Sequence, residues 1–396
     1  MGYFDHLDLM PPDPILGLTA AFQSDPRSEK IDLSVGIYRN EKLQAEKMRA
    51  VIQAEKVLLN EEVDKNYLPI DGCKGEIQGI KRLVFGEDLF EEEGPRIVGV
   101  QGLGGTGSIR VGLEFLKKQL GTKVFVPEVT WANHLKLVKY SNLELFRYPY
   151  YEENRVCFKK ALEAFHKMPE KSVVILHGCC HNPTGADFTA EQWKEISALF
   201  LKKRLFPFFD LAYQGFGDGL ERDAFAIRHF TQEGHEMAVA QSCSKNFGLY
   251  GERVGTLFIL TEKPQIATHV LSHVKPFIRA NYSNPPIHGA AIVSKILSDP
   301  KLKQVWKEQL DEMRLRIQEM REALVKALES KSIQKDFSFM KKRKGMFSFT
   351  GLTEDQSYKM IKDHAIYLTS DGRINVCGLN DENIDRVADA IKKVLA

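Results

Sequence analysis

Short apolar runs separated by longer amphipathic stretches dominate the middle of the chain. The runs cover residues 96–100, 123–126, 173–176, 205–209, 237–240 and 254–260. Each is short and bounded by turn residues, which predicts strands. Helix-length segments, such as residues 108–120 and 189–203, lie between most of them. Strands alternating with helices predict an α/β fold whose largely parallel sheet is covered on both faces. Apolar spacing also predicts a helix over residues 47–62.

The pattern changes after residue 300. Leu310, Met313, Ile317, Met320, Leu324 and Leu328 recur at intervals of three and four, so residues 302–329 read as one long amphipathic helix. Two aromatic-rich segments, 337–340 and 346–349, then flank Lys341, Lys342, Arg343, Lys344 and Gly345. That arrangement predicts a β-hairpin with a charged tip inside a smaller α+β domain. Residues 1–14 are rich in Pro, Asp and Met and read as an extended arm.

At 396 residues the chain exceeds one simple core, so two domains, or one large domain with an appendage, are expected. Its 43% hydrophobic and 27% charged residues are ordinary for a soluble protein. A net charge of +2 creates no field that would draw it to nucleic acid or anionic lipid. No apolar stretch is long enough to span a bilayer, and the N-terminus lacks the basic-then-apolar pattern of a secretory leader. Its Met-Gly start is followed by His6 where myristoylation needs Ser or Thr. The six cysteines are scattered, which suits free thiols in a reducing compartment. A cytoplasmic protein without membrane or nucleic-acid partners is expected.

In open parallel sheets ligands collect at the carboxyl ends of the strands. Polar residues just after the apolar runs are therefore the candidates. Gly102, Gly104, Gly105, Thr106 and Gly107 follow one run and open a helix-like segment. Small residues there let backbone N–H groups approach a phosphate. The same glycines formally match a dinucleotide fingerprint, and Glu128 lies near the spacing of its ribose-binding acid. An NAD-dependent oxidoreductase therefore stays open on this motif.

Asp210 ends an apolar run, where a carboxylate needs a cation or several donors. It either caps the next turn or serves as counter-ion to a protonated ring nitrogen, with the Tyr213 phenol beside the same ring. Lys245 follows another run, together with Ser242 and Ser244. A lysine in a partly apolar pocket loses proton affinity and becomes an amine nucleophile. Arg253, just before the next strand, adds an anion-binding group. His177, Cys179, Cys180 and His181 have a zinc-like composition, but no second pair with ligand spacing occurs and no metal is expected. The turn Asn182-Pro183-Thr184-Gly185 projects the Asn182 amide.

These features converge on pyridoxal 5'-phosphate. That cofactor needs an amine for covalent attachment, an acid at its ring nitrogen, donors at its ring oxygen and a nest for its phosphate. Lys245, then Asp210, then Tyr213 with Asn182, then Gly105 and Thr106 with Ser242, Ser244 and Arg253, fill those roles in turn.

The chain resembles the class I aspartate/aromatic aminotransferase family across nearly its whole length, and in order. The resemblance is carried by Asn66-Tyr67-Leu68-Pro69-Ile70-Asp71-Gly72, Gly104-Gly105-Thr106-Gly107, Trp131-Ala132-Asn133-His134 and His181-Asn182-Pro183-Thr184-Gly185. Asp210-Leu211-Ala212-Tyr213, Ser242-Cys243-Ser244-Lys245-Asn246-Phe247-Gly248, the segment from Arg279 through Asn284 and Pro286 to Gly289, and Gly372-Arg373-Ile374-Asn375 carry it further.

The resemblance implies a pyridoxal-phosphate-dependent transferase of fold type I. Its large domain would cover residues 47–312, and its small domain residues 15–46 and 313–396. It implies transfer of the amino group of L-aspartate to 2-oxoglutarate, giving oxaloacetate and L-glutamate, with aromatic amino acids as further substrates. It also implies a homodimer with shared active sites. Arg373 would hold the substrate's α-carboxylate. Arg279, from the neighbouring subunit, would hold the side-chain carboxylate, and planar guanidinium forks suit both tasks. Tyr67 would reach the neighbouring subunit's cofactor phosphate. Trp131 and Gly36 would lie near the substrate, and His134 behind Asp210. Residues 40–49 depart from the family's usual Gly and Pro pattern, in a stretch that resembles its lid, and Arg39 replaces a commoner side chain.

Overall fold

The computed structural model describes residues 2–10, 14–61 and 64–396. Its strands, in chain order, are β1 (Ile31–Asp32), β2 (Ile97–Leu103), β3 (Lys123–Pro127), β4 (Glu144–Tyr148), β5 (Tyr151–Glu152), β6 (Arg155–Val156), β7 (Val173–His177), β8 (Phe206–Leu211), β9 (Met237–Ser242), β10 (Val254–Leu260), β11 (Phe347–Phe349), β12 (Ile366–Tyr367) and β13 (Arg373–Asn375).

Seven of them form one sheet in the order β2-β10-β9-β8-β7-β3-β4. All six apolar runs read from the sequence are in it. The seventh member, β4, has almost no buried side chain and lies at the edge, so no apolar run announces it. Strands β3, β4, β7, β8 and β9 run parallel, whereas β10 is antiparallel to both β2 and β9. The covered central strands β7, β9 and β10 are buried at every residue, as a sheet with helices on both faces requires.

Helix Ala190–Lys203 begins with a capping box in which Thr189 and Gln192 satisfy each other's backbone donors. Helix Gly104–Leu120 starts four residues before the sequence pattern places it, so the glycines form its first turn. The helix read over residues 47–62 spans Arg49–Asn60, and residue 62 lies outside the described residues. Residues 2–10 of the expected arm are exposed and hold neither helix nor strand; residues 1 and 11–13 lie outside the described residues, and Pro14 opens helix Pro14–Ser24.

The long amphipathic helix is present as Pro300–Ser330, capped by Asp299 and continuous through residues 312 and 313. Trp306, fully buried on it, stacks on Phe247 at 4.6 Å and donates from Nε1 to the Asn246 carbonyl at 2.7 Å. It thereby braces the loop that carries Lys245. Cutting such an aromatic back to Ala costs about 3–5 kcal/mol.

The expected hairpin over residues 337–349 is not formed. Ser338–Lys342 is a 3₁₀ turn, and β11 pairs instead with β13, Phe347 opposite Asn375 and Phe349 opposite Arg373. Three of the four charges of the supposed tip have separate partners: Lys341 meets Glu329, Lys344 meets Asp218, and Arg343 lies over Tyr151. The Lys344 amide also donates to the Gly185 carbonyl at 2.8 Å. These anchors pull the segment across to the Asn182 turn. Near the other end of the chain, β1 lies parallel to β12, bringing residues 31–38 beside β13.

Candidate active site

The carboxyl ends of β2, β3, β7, β8 and β9 share one edge of the sheet. Because β10 runs the opposite way, its first residue, Val254, lies at that same edge, opposite Leu103 of β2. The connection from β9 to β10 leaves and returns there, which places both Lys245 and Arg253 above it. A cleft of about 230 Å³ opens at this edge. It is lined by Gly36, Gly105, Thr106, Trp131, Asn182, Asp210, Tyr213, Ser242, Ser244, Lys245, Arg253 and Arg373, all read as site residues from the sequence. Ala212, Tyr250 and Phe347 line it as well.

Asp210 sits on β8 opposite His177 of β7. Its Oδ2 lies 3.0 Å from His134 Nε2, and His134 Nδ1 lies 2.8 Å from the Thr130 hydroxyl, which also reaches His177 Nε2 at 3.0 Å. Burial pushes the Asp210 carboxyl up. The hydrogen bond and charge of His134, with His177 and Lys245, outweigh that and hold it below the ordinary value. A carboxylate kept ionised at the back of a cleft is suited to a protonated ring nitrogen.

The half-buried Lys245 holds its Nζ 4.9 Å from the centre of the Tyr213 ring. Desolvation lowers its amine to about 8; Asp210 opposes this, and Arg253 and Arg373 add to it. The amine therefore loses its proton far more readily than an ordinary lysine, and the neutral form that acts as nucleophile becomes the major one above about pH 8. Burial raises the Tyr213 phenol, and the Asp210 charge raises it further, so it stays a hydrogen-bond donor. Asn182 links two walls: its Nδ2 donates to the Tyr213 hydroxyl at 3.4 Å, and its Oδ1 accepts from Arg373 at 3.3 Å. Arg373 also donates to the Ser34 carbonyl at 2.6 Å and lies 4.2 Å from the Phe347 ring centre. Its buried Nε has no hydrogen-bond partner among the described residues.

Helix Gly104–Leu120 begins at the cleft without a side-chain cap; the Gly104 N–H donates to the Arg253 carbonyl at 2.9 Å, and the N–H groups that follow it in the first turn have no capping side chain. Arg253 lies against it: a Cβ on Gly104, whose φ is +66°, would approach the guanidinium to 2.6 Å. Glycine is thus required there for both conformation and space. Arg253 also donates to the Ser244 hydroxyl at 3.3 Å, and the Ser242 and Ser244 hydroxyls are 3.1 Å apart. Open amides, two hydroxyls and a guanidinium form an anion nest.

Tyr67 and Arg279 do not line this cleft. Both are exposed, and their segments lie side by side on the surface, joined by the Lys275–Asp71 ion pair at 3.0 Å and by the contact of Gly72 with Pro285. Arg39 turns away from the cleft, pairing with Asp32 at 2.6 Å.

The dinucleotide reading of residues 102–107 is overturned by topology. That motif needs adjacent parallel strands flanking its helix. Here β2 and β3, on either side of helix Gly104–Leu120, are far apart in the sheet order. Cys179 and Cys180 gather near Asp223, whose carboxylate accepts three backbone N–H bonds from Gly215, Gly217 and Asp218.

The family model for aminotransferases of class I and II matches residues 28–391. This chain belongs to that family. The aminotransferase is 43% identical to the aspartate aminotransferase of Pseudomonas aeruginosa, with both chains covered in full. It is 40% identical to the aromatic-amino-acid aminotransferase of Escherichia coli, over 99% of this chain and 100% of that one. Among solved structures it is similar to the aromatic-amino-acid aminotransferase of Burkholderia pseudomallei covalently bound to pyridoxal phosphate, with a TM-score of 0.97, 43% identity and full coverage of both chains.

Pyridoxal phosphate fits the cleft of this aminotransferase on the chemistry of its donors. An amine of lowered proton affinity, an ionised carboxylate, a phenol with an amide beside it, and an uncapped helix start with its guanidinium all line one cavity. Of the three lining residues that sequence reading missed, Tyr250 lies between Lys245 and Arg253, both already singled out. Phe347 was assigned to a hairpin, which hid it.

Proposed function

We propose that this protein is an aspartate aminotransferase, moving the amino group of L-aspartate to 2-oxoglutarate to give oxaloacetate and L-glutamate. The observation that carries the reading is Lys245, with its amine lowered to about 8, held in one cleft with the ionised Asp210 and the anion nest at Arg253. Full-length identity of 43% with an aspartate aminotransferase supports that substrate.

The cofactor is pyridoxal 5'-phosphate. When bound, it supplies an electron sink that makes the substrate Cα–H acidic. Lys245 would hold it through Nζ, and the same Nζ, when free, would take and return the Cα proton. Asp210 would keep the ring nitrogen protonated. Tyr213 and Asn182 would serve the ring oxygen, with Trp131 beside the ring. Gly105, Thr106, Ser242, Ser244 and Arg253 would hold the phosphate. Arg373, with its unsaturated guanidinium and with Gly36 and Asn182 beside it, takes the α-carboxylate.

In the same reading the protein is a cytoplasmic homodimer. The division into a domain of residues 47–312 and a smaller one of residues 15–46 and 313–396 belongs to it as well. Arg279 and Tyr67 are both exposed, as groups that serve a neighbouring subunit's site must be in a single chain. Tyr3, Phe4, Leu7 and Leu9 of the arm expose apolar surface that a second copy would cover. No helix among the described residues is long and apolar enough to cross a membrane.

Activity on aromatic amino acids is a second reading, favoured by 40% identity with an aromatic-amino-acid aminotransferase. Visible spectra of the purified protein, taken before and after adding aspartate and then phenylalanine, test both. A cofactor band that aspartate bleaches and oxaloacetate restores is expected. A band that responds to phenylalanine and ignores aspartate overturns the dicarboxylate assignment.

A further inference from the structure

Residues 34–38 pass over the mouth of the cleft with Gly36 at their centre. Three carbonyls of this segment are held by side chains of β13. Arg373 donates to the Ser34 carbonyl at 2.6 Å. Asn375 Nδ2 donates to the carbonyls of both Val35, at 2.6 Å, and Ile37, at 2.8 Å. A Cβ on Gly36 would meet the Phe347 ring at 2.8 Å, so the segment is also pressed against β11.

One group points the other way. The Tyr38 amide donates to the Tyr250 hydroxyl at 2.8 Å. Among the hydrogen bonds of the described residues, this one joins segment 34–38 to the loop carrying Lys245. Tyr250 is otherwise fixed within that loop, because its carbonyl accepts from Arg253 at 3.0 Å. One residue therefore touches the cleft, the phosphate-side arginine and the segment that bears Gly36. Its hydroxyl, which accepts from Tyr38, has no acceptor for its own proton among the described residues, so the cleft is where that proton can go.

We propose that Tyr250 is a positioning residue for substrate binding: its hydroxyl tethers the Gly36 segment to the Lys245 loop and so sets the height of the cleft above the cofactor. The tether acts on the binding of amino acid and 2-oxo acid rather than on proton movement at Nζ. This rests on the aminotransferase reading, but the tether itself can be observed separately.

The test is Tyr250→Phe in the holoenzyme, read in two ways. Hydrogen exchange at the Tyr38 amide should rise roughly fivefold to tenfold, the worth of one hydrogen bond. KM for aspartate and for 2-oxoglutarate should rise by a similar factor, with kcat changed less than twofold and the cofactor band and melting temperature as in the parent. Unchanged exchange at Tyr38 overturns the tether. A loss in kcat alone, or a fall in melting temperature with loss of cofactor, overturns the positioning role. A parent protein without transamination activity whose Tyr38 amide still loses protection in the variant would instead overturn the functional reading and leave the tether standing.

Discussion

His134 Nε2 lies 3.0 Å from Asp210 Oδ2, and the two groups meet where almost no water reaches: His134 is fully buried and Asp210 is 8% exposed. Burial alone would protonate this carboxylate. The imidazole, oriented from behind by Thr130 and His177, keeps it charged. The folded-state pKa is depressed, so this pair contributes stability above the unfolded value, and the contribution is lost as pH falls through the folded one.

Replacing His134 by Ala removes a hydrogen bond to a charged group, worth about 1.5–3 kcal/mol. The Asp210 carboxyl should then titrate at higher pH, because its burial is no longer offset by that partner. The acid limb of the kcat/KM profile should move up with it, and cofactor affinity should fall. An unmoved limb would show that His134 does not control the charge at Asp210.

Lys245→Ala should abolish turnover and the cofactor's visible absorbance, since no other amine lines the cleft. In the apoprotein, the Lys245 amine gains nucleophilicity as it deprotonates around pH 8. Reductive trapping of added pyridoxal phosphate should therefore increase with pH through that midpoint. Near-normal turnover of the variant without added amine would refute the assignment.

Arg279→Leu should penalise aspartate and glutamate far more than phenylalanine. Removing one partner of a buried ion pair costs about 3–5 kcal/mol, or roughly two to four powers of ten in kcat/KM for the dicarboxylates. Equal losses for both substrate classes would rule out a distal-carboxylate role.

Glu76 is fully buried beneath the sheet; its Oε1 accepts from Thr256, while its Oε2 has no partner among the described residues. Burial raises its carboxyl from 4.5 to about 8. Between those values the unfolded chain holds fewer protons than the folded one, so stability falls as pH rises through the window. Glu76→Gln should melt higher than the parent at pH 8, with the advantage shrinking toward pH 5. A pH-independent difference in melting temperature would contradict this.

Much of the site was legible because cofactor chemistry confines its residues to strand ends. Asp210, Asn182, Lys245 and Arg253 could each be placed after, or just before, an apolar run. Phe347 was not legible, because the backbone pairing of β11 with β13 links residues that no local pattern connects. The false hairpin came from reading Lys341, Lys342, Arg343 and Lys344 as one charged tip, when Lys341, Arg343 and Lys344 are each drawn to a different partner. Strand β4 was missed for a simpler reason: it lies at the sheet edge with four of its five residues exposed, and its adjacent Leu145 and Phe146 between Glu144 and Arg147 form neither an alternation nor a strand-length apolar run. Arg279 and Tyr67 took their roles only from family resemblance, since within one chain they touch nothing in the cleft.

The reversed direction of β10 sets a rule about chain length. Every parallel crossover in this sheet leaves the cleft edge and ends at the opposite one, so beyond its first residues, which carry Thr106, Trp131, Asn182 and Tyr213, its length can change without moving the cleft. The segment from 243 to 253 has no such slack, because its two ends are in register across paired strands, with Ser242 facing Gly255. It spans from the attachment amine to the phosphate arginine like a fixed caliper. Insertions and deletions should therefore be tolerated in the distal parts of the crossovers and excluded from this loop.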